Sequence, residues 1–296
     1  MRVPAEISVI IATMAAPERA QSLQRAIASV RAASTRPVQV IVVVNGARSE
    51  AGLLEWLRQQ TDVLLELAPE PSLPKAILRG RELVQTPYFA TLDDDDEFLP
   101  GALDCRMQRM QQADQPALVV TNGIRRTAEG DRLTYSSMAN IEQRPLPALF
   151  DFTWLQSCNG LYRSEAVGPD WFANYHAYAE WTWLAFSLAQ AGKCIGVVDA
   201  PTYVNNDTPG SLSKSASYFA AYFALFQRML AVRPPPNIEK LVRRRLGACL
   251  HEDSVRALAA GRRADAWLAH LRSLGQPGGL RFLSYTRRLL PGWPQD

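Results

Sequence analysis

Four consecutive aspartates, Asp93-Asp94-Asp95-Asp96, follow the apolar run Tyr88-Phe89-Ala90-Thr91-Leu92 and precede Glu97-Phe98-Leu99-Pro100. The apolar run has the length of a strand, and a proline can open the helix after it. Like charges this close repel, and each carboxylate loses hydration if the strand end is buried. A cation seated among them removes most of that cost. Carboxylate oxygens with water positions left over suit Mg2+ or Mn2+, which also bind phosphate oxygens. Acidic runs are also common in solvated turns. The strand in front of this one favours a ligand site, because open α/β sheets bind ligands at the carboxyl ends of their strands.

The residues before the aspartates alternate between two periodicities. Ile7 to Ala12, Val38 to Val44, Asp62 to Leu67 and Tyr88 to Leu92 are runs of strand length. Between them, residues 17–33, 49–60 and 74–85 read as helices; in the first, Leu23, Ala26, Ile27 and Val30 recur at helical spacing behind Pro17. Such alternation predicts a parallel sheet with helices on both faces. The middle is less regular. Ala117 to Asn122, Arg132 to Ser136, Asn159 to Arg163 and Cys194 to Val198 are expected strands, residues 138–153 a loop, and residues 176–191 an aromatic-rich helix ending before Gly192. From about Ser215 the chain reads as helical, interrupted at Pro234-Pro235-Pro236 and between Gly275 and Gly279.

Cys105, Cys158, Cys194 and Cys249 have no CxxC spacing and no neighbouring histidine pair, which argues against a zinc site or a disulfide framework and fits a reducing cytoplasm. No apolar run reaches the ~20 residues of a membrane span. The net charge of +3 conceals an asymmetry: residues 228–296 hold 13 Lys/Arg against 5 Asp/Glu, whereas residues 1–227 hold 19 against 24. A basic tail on an acidic body points to an anionic partner for the tail, and its interleaved apolar residues favour a membrane surface over nucleic acid.

Over about residues 6–214 these pieces resemble the inverting glycosyltransferases of family 2, which have the GT-A fold. Four segments carry the resemblance: Ile7 to Thr13 followed by Arg19, Leu23 and Ser29-Val30; Val40 to Gly46; Tyr88 to Leu103, with its strand, DxD cluster, Pro and Leu; and Glu180 to Gly192, an acidic residue, a helix and a glycine. The fold class implied is α/β: a GT-A, Rossmann-like, mostly parallel sheet flanked by helices, with a helical C-terminal extension. The implied domains are a catalytic domain over 1–214, divided into a nucleotide-binding half (1–104) and an acceptor-binding half (105–214), and a basic helical extension over 215–296.

The resemblance also assigns roles. A divalent ion, Mg2+ or Mn2+, held by Asp95 with Asp93 completing the DxD, would stabilise the charge that develops on a departing nucleoside diphosphate. Asp94 faces either the ribose or the metal's waters, and Asp96 either joins the cluster or caps the following helix. Thr13, Arg19 and Asn45 fall on the nucleotide side; Asn45 replaces the family's usual aspartate and is either a base contact or the start of a tight Asn-Gly turn. Lys75 and Arg79, one helical turn apart, would hold phosphate or act as counter-ions to the aspartates, unless they are plain surface cations. An inverting transfer needs a base for the acceptor hydroxyl. Where relatives carry Glu-Asp, this chain has Glu180-Trp181, so Glu180 is the base expected, with Asp170 and Asp199 in reserve. Trp181 and Trp183 would wall a sugar ring or pack in the core. In the following loop, Asn206 and Thr208 stand where relatives have Arg and His, with Ser211, Ser213 and Lys214 in reach of a diphosphate. The histidines, 176, 251 and 270, are unpaired in sequence and read as surface or structural.

The implied activity is metal-dependent transfer of a sugar from a UDP- or GDP-type donor to a hydroxyl acceptor, glycan or lipid-linked, in bacterial surface-glycan assembly. Two rivals stand beside it: a nucleotidyltransferase, disfavoured because Thr13 to Arg19 contains no glycine for a phosphate loop, and a GT-A module that binds nucleotide without turnover. The basic tail, with Arg243-Arg244-Arg245 and the aromatic-tipped stretch Leu280 to Trp293, is expected either to lie on an anionic inner membrane face or to pack as a helical annex.

Overall fold

The computed structural model describes residues 4–207 and 216–290. The expected diphosphate-facing residues Thr208, Ser211, Ser213 and Lys214 therefore lie outside the described residues. The chain divides into two compact units, Met1–Ser211 and Leu212–Asp296.

In the first unit, β1 (Ile7–Thr13), β2 (Val38–Asn45), β3 (Val63–Ala68) and β4 (Tyr88–Asp93) pair in parallel in the order β3-β2-β1-β4. β1 is buried along its whole length, as a strand flanked on both edges and covered on both faces must be. The helices α1 (Ala20–Ala32), α2 (Ala51–Gln59) and α3 (Leu73–Leu83) are the connections. The apolar stripe of α1, Leu23, Ala26, Ile27 and Val30, is the face it buries. Glu50 caps α2 by accepting from the Gly52 and Leu53 amides, each at 2.9 Å. Helix α3 reaches β1 closely because Gly80 has no side chain: a Cβ there would stand 2.3 Å from Cγ2 of Ile10.

Beyond β4 the sheet becomes mixed. After the two-residue β5 (Glu97–Phe98) and α4 (Ala102–Met110) come β6 (Leu118–Thr127), β7 (Gly130–Leu133), β8 (Gly160–Arg163) and β9 (Ile195–Asn206). The order continues β4-β8-β6-β9-β5, with β6 and β9 parallel and the β4-β8, β8-β6 and β9-β5 pairings antiparallel. The strand expected at 132–136 is shifted: β7 pairs with an extension of β6 to Thr127 across a tight hairpin, and Gly130, the first residue of β7, leaves the turn with φ of 119°. The segment expected to be loop over 138–153 holds one short helix, α5 (Pro145–Ala148). α6 (Asp170–Ala173) precedes the predicted aromatic helix, which begins at α7 (Glu180–Gln190) rather than at 176.

Arg106, on α4, is fully buried. It donates to the Cys158 carbonyl and the Thr202 hydroxyl, each at 2.8 Å, and to the Gly160 carbonyl at 3.3 Å. Its guanidinium lies 4.7 Å from the Phe98 ring centroid. Burial lowers its pKa to about 10, so it stays charged at neutral pH. One side chain thus ties α4 to the β8 approach and to β9.

The second unit consists of α8 (Ala216–Ala231), α9 (Pro236–Ala259), α10 (Arg263–Leu274), a 3-10 segment (Gly279–Tyr285) and α11 (Thr286–Leu289). Ala257, Leu258, Ala266 and Leu289 form its small core, with Trp267 and Tyr285 against it. His251 stacks on Phe282 with ring centroids 4.1 Å apart, and buried His270 meets the Thr286 hydroxyl at 2.8 Å. Burial holds both imidazoles below the usual histidine pKa.

Two outcomes are expected. Arg106→Leu leaves buried acceptors unpaired and should cost about 3 kcal/mol or more in denaturant unfolding. Because the native state disfavours protonated His251 and His270, their stability contribution is present above the unfolded histidine pKa and is lost as pH falls. Melting of the helices should therefore drop between about pH 7 and 5, and His270→Gln should shrink that drop in far-UV circular dichroism.

Candidate active site

The connections from β1 to β2 to β3 run away from β4, and the next connection crosses back to place β4 on the other side of β1. That reversal opens a crevice at the carboxyl ends of β1 and β4, where α/β sheets bind ligands. Parallel register sets Ala12 opposite Asp93, so Thr13 and the aspartates share one level of the sheet.

Each carboxylate there is held by a different element. The Ser157 hydroxyl donates to Asp93 at 2.5 Å. The Thr13 hydroxyl donates to Asp94 at 2.6 Å and itself accepts the Ala15 amide at 2.9 Å. Arg19, entering α1, places one Nη1 at 2.7 Å from Asp95 and 3.2 Å from Asp94. Asp96 is buried and accepts from the Asn205 side chain at 2.8 Å and the Asn206 amide at 2.9 Å, while the Asn206 side chain donates to the Asp95 carbonyl at 2.7 Å.

The electrostatics follow from this arrangement. Burial raises the Asp93 pKa to about 7; the Ser157 bond opposes the rise, and the charges of Asp95 and Asp94 add to it. Burial also raises Asp94, against the Thr13 bond and the Arg19 charge. Asp96 is pushed well above the carboxylate range by burial and by Asp93. Desolvation alone would lower the Arg19 pKa, but its bond to Asp95 and the surrounding aspartate charges raise it instead. One arginine therefore does not offset the cost of keeping all four carboxylates ionised.

The donors suit a hard divalent ion, being carboxylate oxygens whose ionised form one arginine only partly stabilises. Among the described residues, no three His, Cys, Asp or Glu side chains are grouped to hold an ion by themselves. A fit therefore requires the remaining ligands to come from water and substrate phosphate, the usual arrangement for Mg2+.

Several expectations change. Asp96 is not a helix cap: α4 begins at Ala102 behind Gly101, and Asp96 anchors β9 instead. Asn45 is buried and donates to the Thr13 carbonyl at 3.1 Å, tying the ends of β1 and β2 together, while Gly46 takes the turn at φ 83°. Lys75 is engaged by Glu70 at 2.6 Å, and Arg79 by Glu66 at 2.8 Å and Glu82 at 3.2 Å. The counter-ion to the aspartates is Arg19. Asp199 accepts from Asn122 and the Met138 amide, a structural role. Asp170 stands in the first turn of α6. Ser157, Asn205 and Asn206 complete the aspartate network; the only sequence signal for the first was a polar Ser157-Cys158-Asn159 turn ahead of β8.

Glu180 opens α7. Because β9 runs in the direction of β4, the helix before it starts at the same carboxyl edge of the sheet as the aspartates. Glu180 accepts the Tyr178 amide at 2.9 Å, and burial raises its pKa above the usual glutamate value. It lines an open apolar pocket with Leu73, Pro74 and Ile77 of α3 and with Trp171, Tyr175 and Trp181. Trp181 is therefore a pocket wall, whereas Trp183 is buried and stacks on Phe186 with centroids 5.7 Å apart.

Solved structures with the same fold include S. aureus TarS 1-349 in complex with UDP-GlcNAc, at TM-score 0.57 and 10% identity over 92% of this chain and 92% of that chain. The same TarS segment in complex with UDP aligns at TM-score 0.55 and 10% identity, covering 98% of both chains. A further TarS structure aligns at TM-score 0.57 and 11% identity, over 82% of this chain and 43% of its own. The likeness establishes a GT-A-type fold. No curated protein matches the sequence. The family model described as Glycosyl transferase family 2 matches residues 8–168, more than half of the chain. The chain therefore belongs to glycosyl transferase family 2.

Proposed function

We propose that this glycosyltransferase moves a sugar, with inversion and with help from Mg2+ or Mn2+, from a UDP-type donor to a hydroxyl acceptor. The observation that carries the reading is the convergence of Thr13, Arg19 and Asp93 to Asp95 at the crevice between β1 and β4. UDP is preferred to GDP because the TarS structures of like fold are complexes with UDP-GlcNAc and UDP. Resemblance to surface-polysaccharide enzymes supports a glycan or lipid-linked acceptor, met at the inner face of the membrane.

Asp95 and Asp93 are the residues that would hold the ion, and Asp94 lies between them. When bound, the ion neutralises charge on the leaving diphosphate. Arg19 supplies a second positive group at the same place, and Thr13 fixes Asp94 so that the carboxylates stay aimed into the crevice. Glu180 takes the acceptor's proton; its raised pKa makes its carboxylate a better base than an exposed glutamate. The aromatic walls beside it shield that proton transfer from water and offer ring faces to an acceptor.

Isothermal titration should show UDP binding more tightly with Mn2+ than with chelator by about tenfold or more, and Asp95→Asn should abolish that difference. Equal affinity under both conditions would refute the role of the ion. Glu180→Gln should lower turnover of the nucleotide sugar by ~100-fold or more while leaving UDP affinity within about twofold. Full turnover by this variant would move the base elsewhere.

A further inference from the structure

In the C-terminal unit Phe282 and Tyr285 are half-buried while several leucines are exposed; Trp293, the last aromatic of the expected tip, lies outside the described residues. On α10 the buried stripe is Ala266, His270 and Ser273. Leu268 and Leu271 project from the other side, 51% and 58% exposed. The 3-10 segment repeats the pattern at its own period of three. Gly279, Phe282 and Tyr285 turn inward, where Phe282 stacks on His251 and Tyr285 packs edge-on to it. Leu280 and Leu283 face outward, 74% and 55% exposed. Exposed leucines at helical spacing on two consecutive elements, each with a packed opposite side, call for a partner.

Charge selects the partner. Residues 266–290 contain four arginines, Arg272, Arg281, Arg287 and Arg288, and no Asp or Glu. All four are exposed, and none pairs with a carboxylate among the described residues. The nearest acid in sequence, Asp265, is engaged by Arg262 at 2.9 Å. A second copy of the chain presenting this surface would set arginine against arginine, a repulsive arrangement. An anionic bilayer complements both features, taking leucines into the acyl boundary and arginines at the phosphates. No described helix is long and apolar enough to cross a membrane, so the mode is interfacial.

We propose that the outward sides of α10 and the following 3-10 segment dock the protein on an anionic phospholipid surface, with Leu268, Leu271, Leu280 and Leu283 inserted. The proposal is independent of the sugar-transfer chemistry, since it concerns the C-terminal unit alone.

The test is co-sedimentation of the full chain with phosphatidylcholine vesicles and with vesicles containing about 30% phosphatidylglycerol, whose surface attracts basic residues. Partitioning onto the anionic vesicles should exceed that onto the neutral ones by about tenfold or more and fall with added salt. Leu271→Asp with Leu283→Asp should reduce it about tenfold at unchanged helicity and melting temperature, because both side chains are exposed. Arg281→Gln with Arg288→Gln should reduce it comparably, and this pair decides the matter if the leucine variant misfolds. Equal binding to both vesicle types, or none, overturns the proposal. So does a concentration-dependent dimer that the leucine variant dissolves while vesicles stay unbound, which would make a second copy the occupant.

Discussion

Four carboxylates at the end of one strand are unfavourable unless each finds its own partner, and the N-terminal unit is arranged around that requirement. Thr13 comes from β1, Arg19 from the turn into α1, Ser157 from the approach to β8, and Asn205 and Asn206 from the end of β9. Elements far apart in sequence must all be in place for the cluster to be tolerated. Even so, the Asp93 pKa rises to about 7, because burial and two neighbouring carboxylates outweigh one hydroxyl. A divalent ion would relieve that cost, which is the physical basis of the proposed cation site.

Arg106 works one layer below. It carries a positive charge into the core without a carboxylate beside it and satisfies its donors on the Cys158 and Gly160 carbonyls and the Thr202 hydroxyl. Ser157 and Asn205 lie within a few residues of those anchors. A buried charge thus fixes, at a distance, the two segments that deliver donors to the aspartates. The Glu180 pocket uses a different device: one glutamate among aromatic side chains, where desolvation rather than neighbouring charge raises its pKa.

Much of this was legible in order and spacing. β1, β2 and β4 declare themselves because strands buried on both faces must be continuously apolar, and α1 because its stripe repeats at helical period. The Asp run was readable as a ligand site because it closes such a strand. The second half was harder. β7 and β9 differ from expectation because their ends are set by pairing with β6, in the case of β9 across register irregularities that no local pattern encodes. In the tail, composition signalled a basic amphipathic surface but not the packing of Phe282 and Tyr285 on a histidine. Two histidines and a small core recruit them inward, and only packing reveals that.

The sequence by itself determined the fold class, the placement of acid at the carboxyl end of the fourth strand, and the family, since these rest on periodicity and on residues adjacent in the chain. Tertiary structure decided which groups meet. It made Arg19, not Lys75 or Arg79, the counter-ion of the aspartates, turned Asp96 and Asn45 into braces, and divided Trp181 from Trp183 between pocket and core. The physical reason is the same each time: a carboxylate, amide or ring takes its role from the partner within a few ångströms, and that partner arrives from a distant part of the chain.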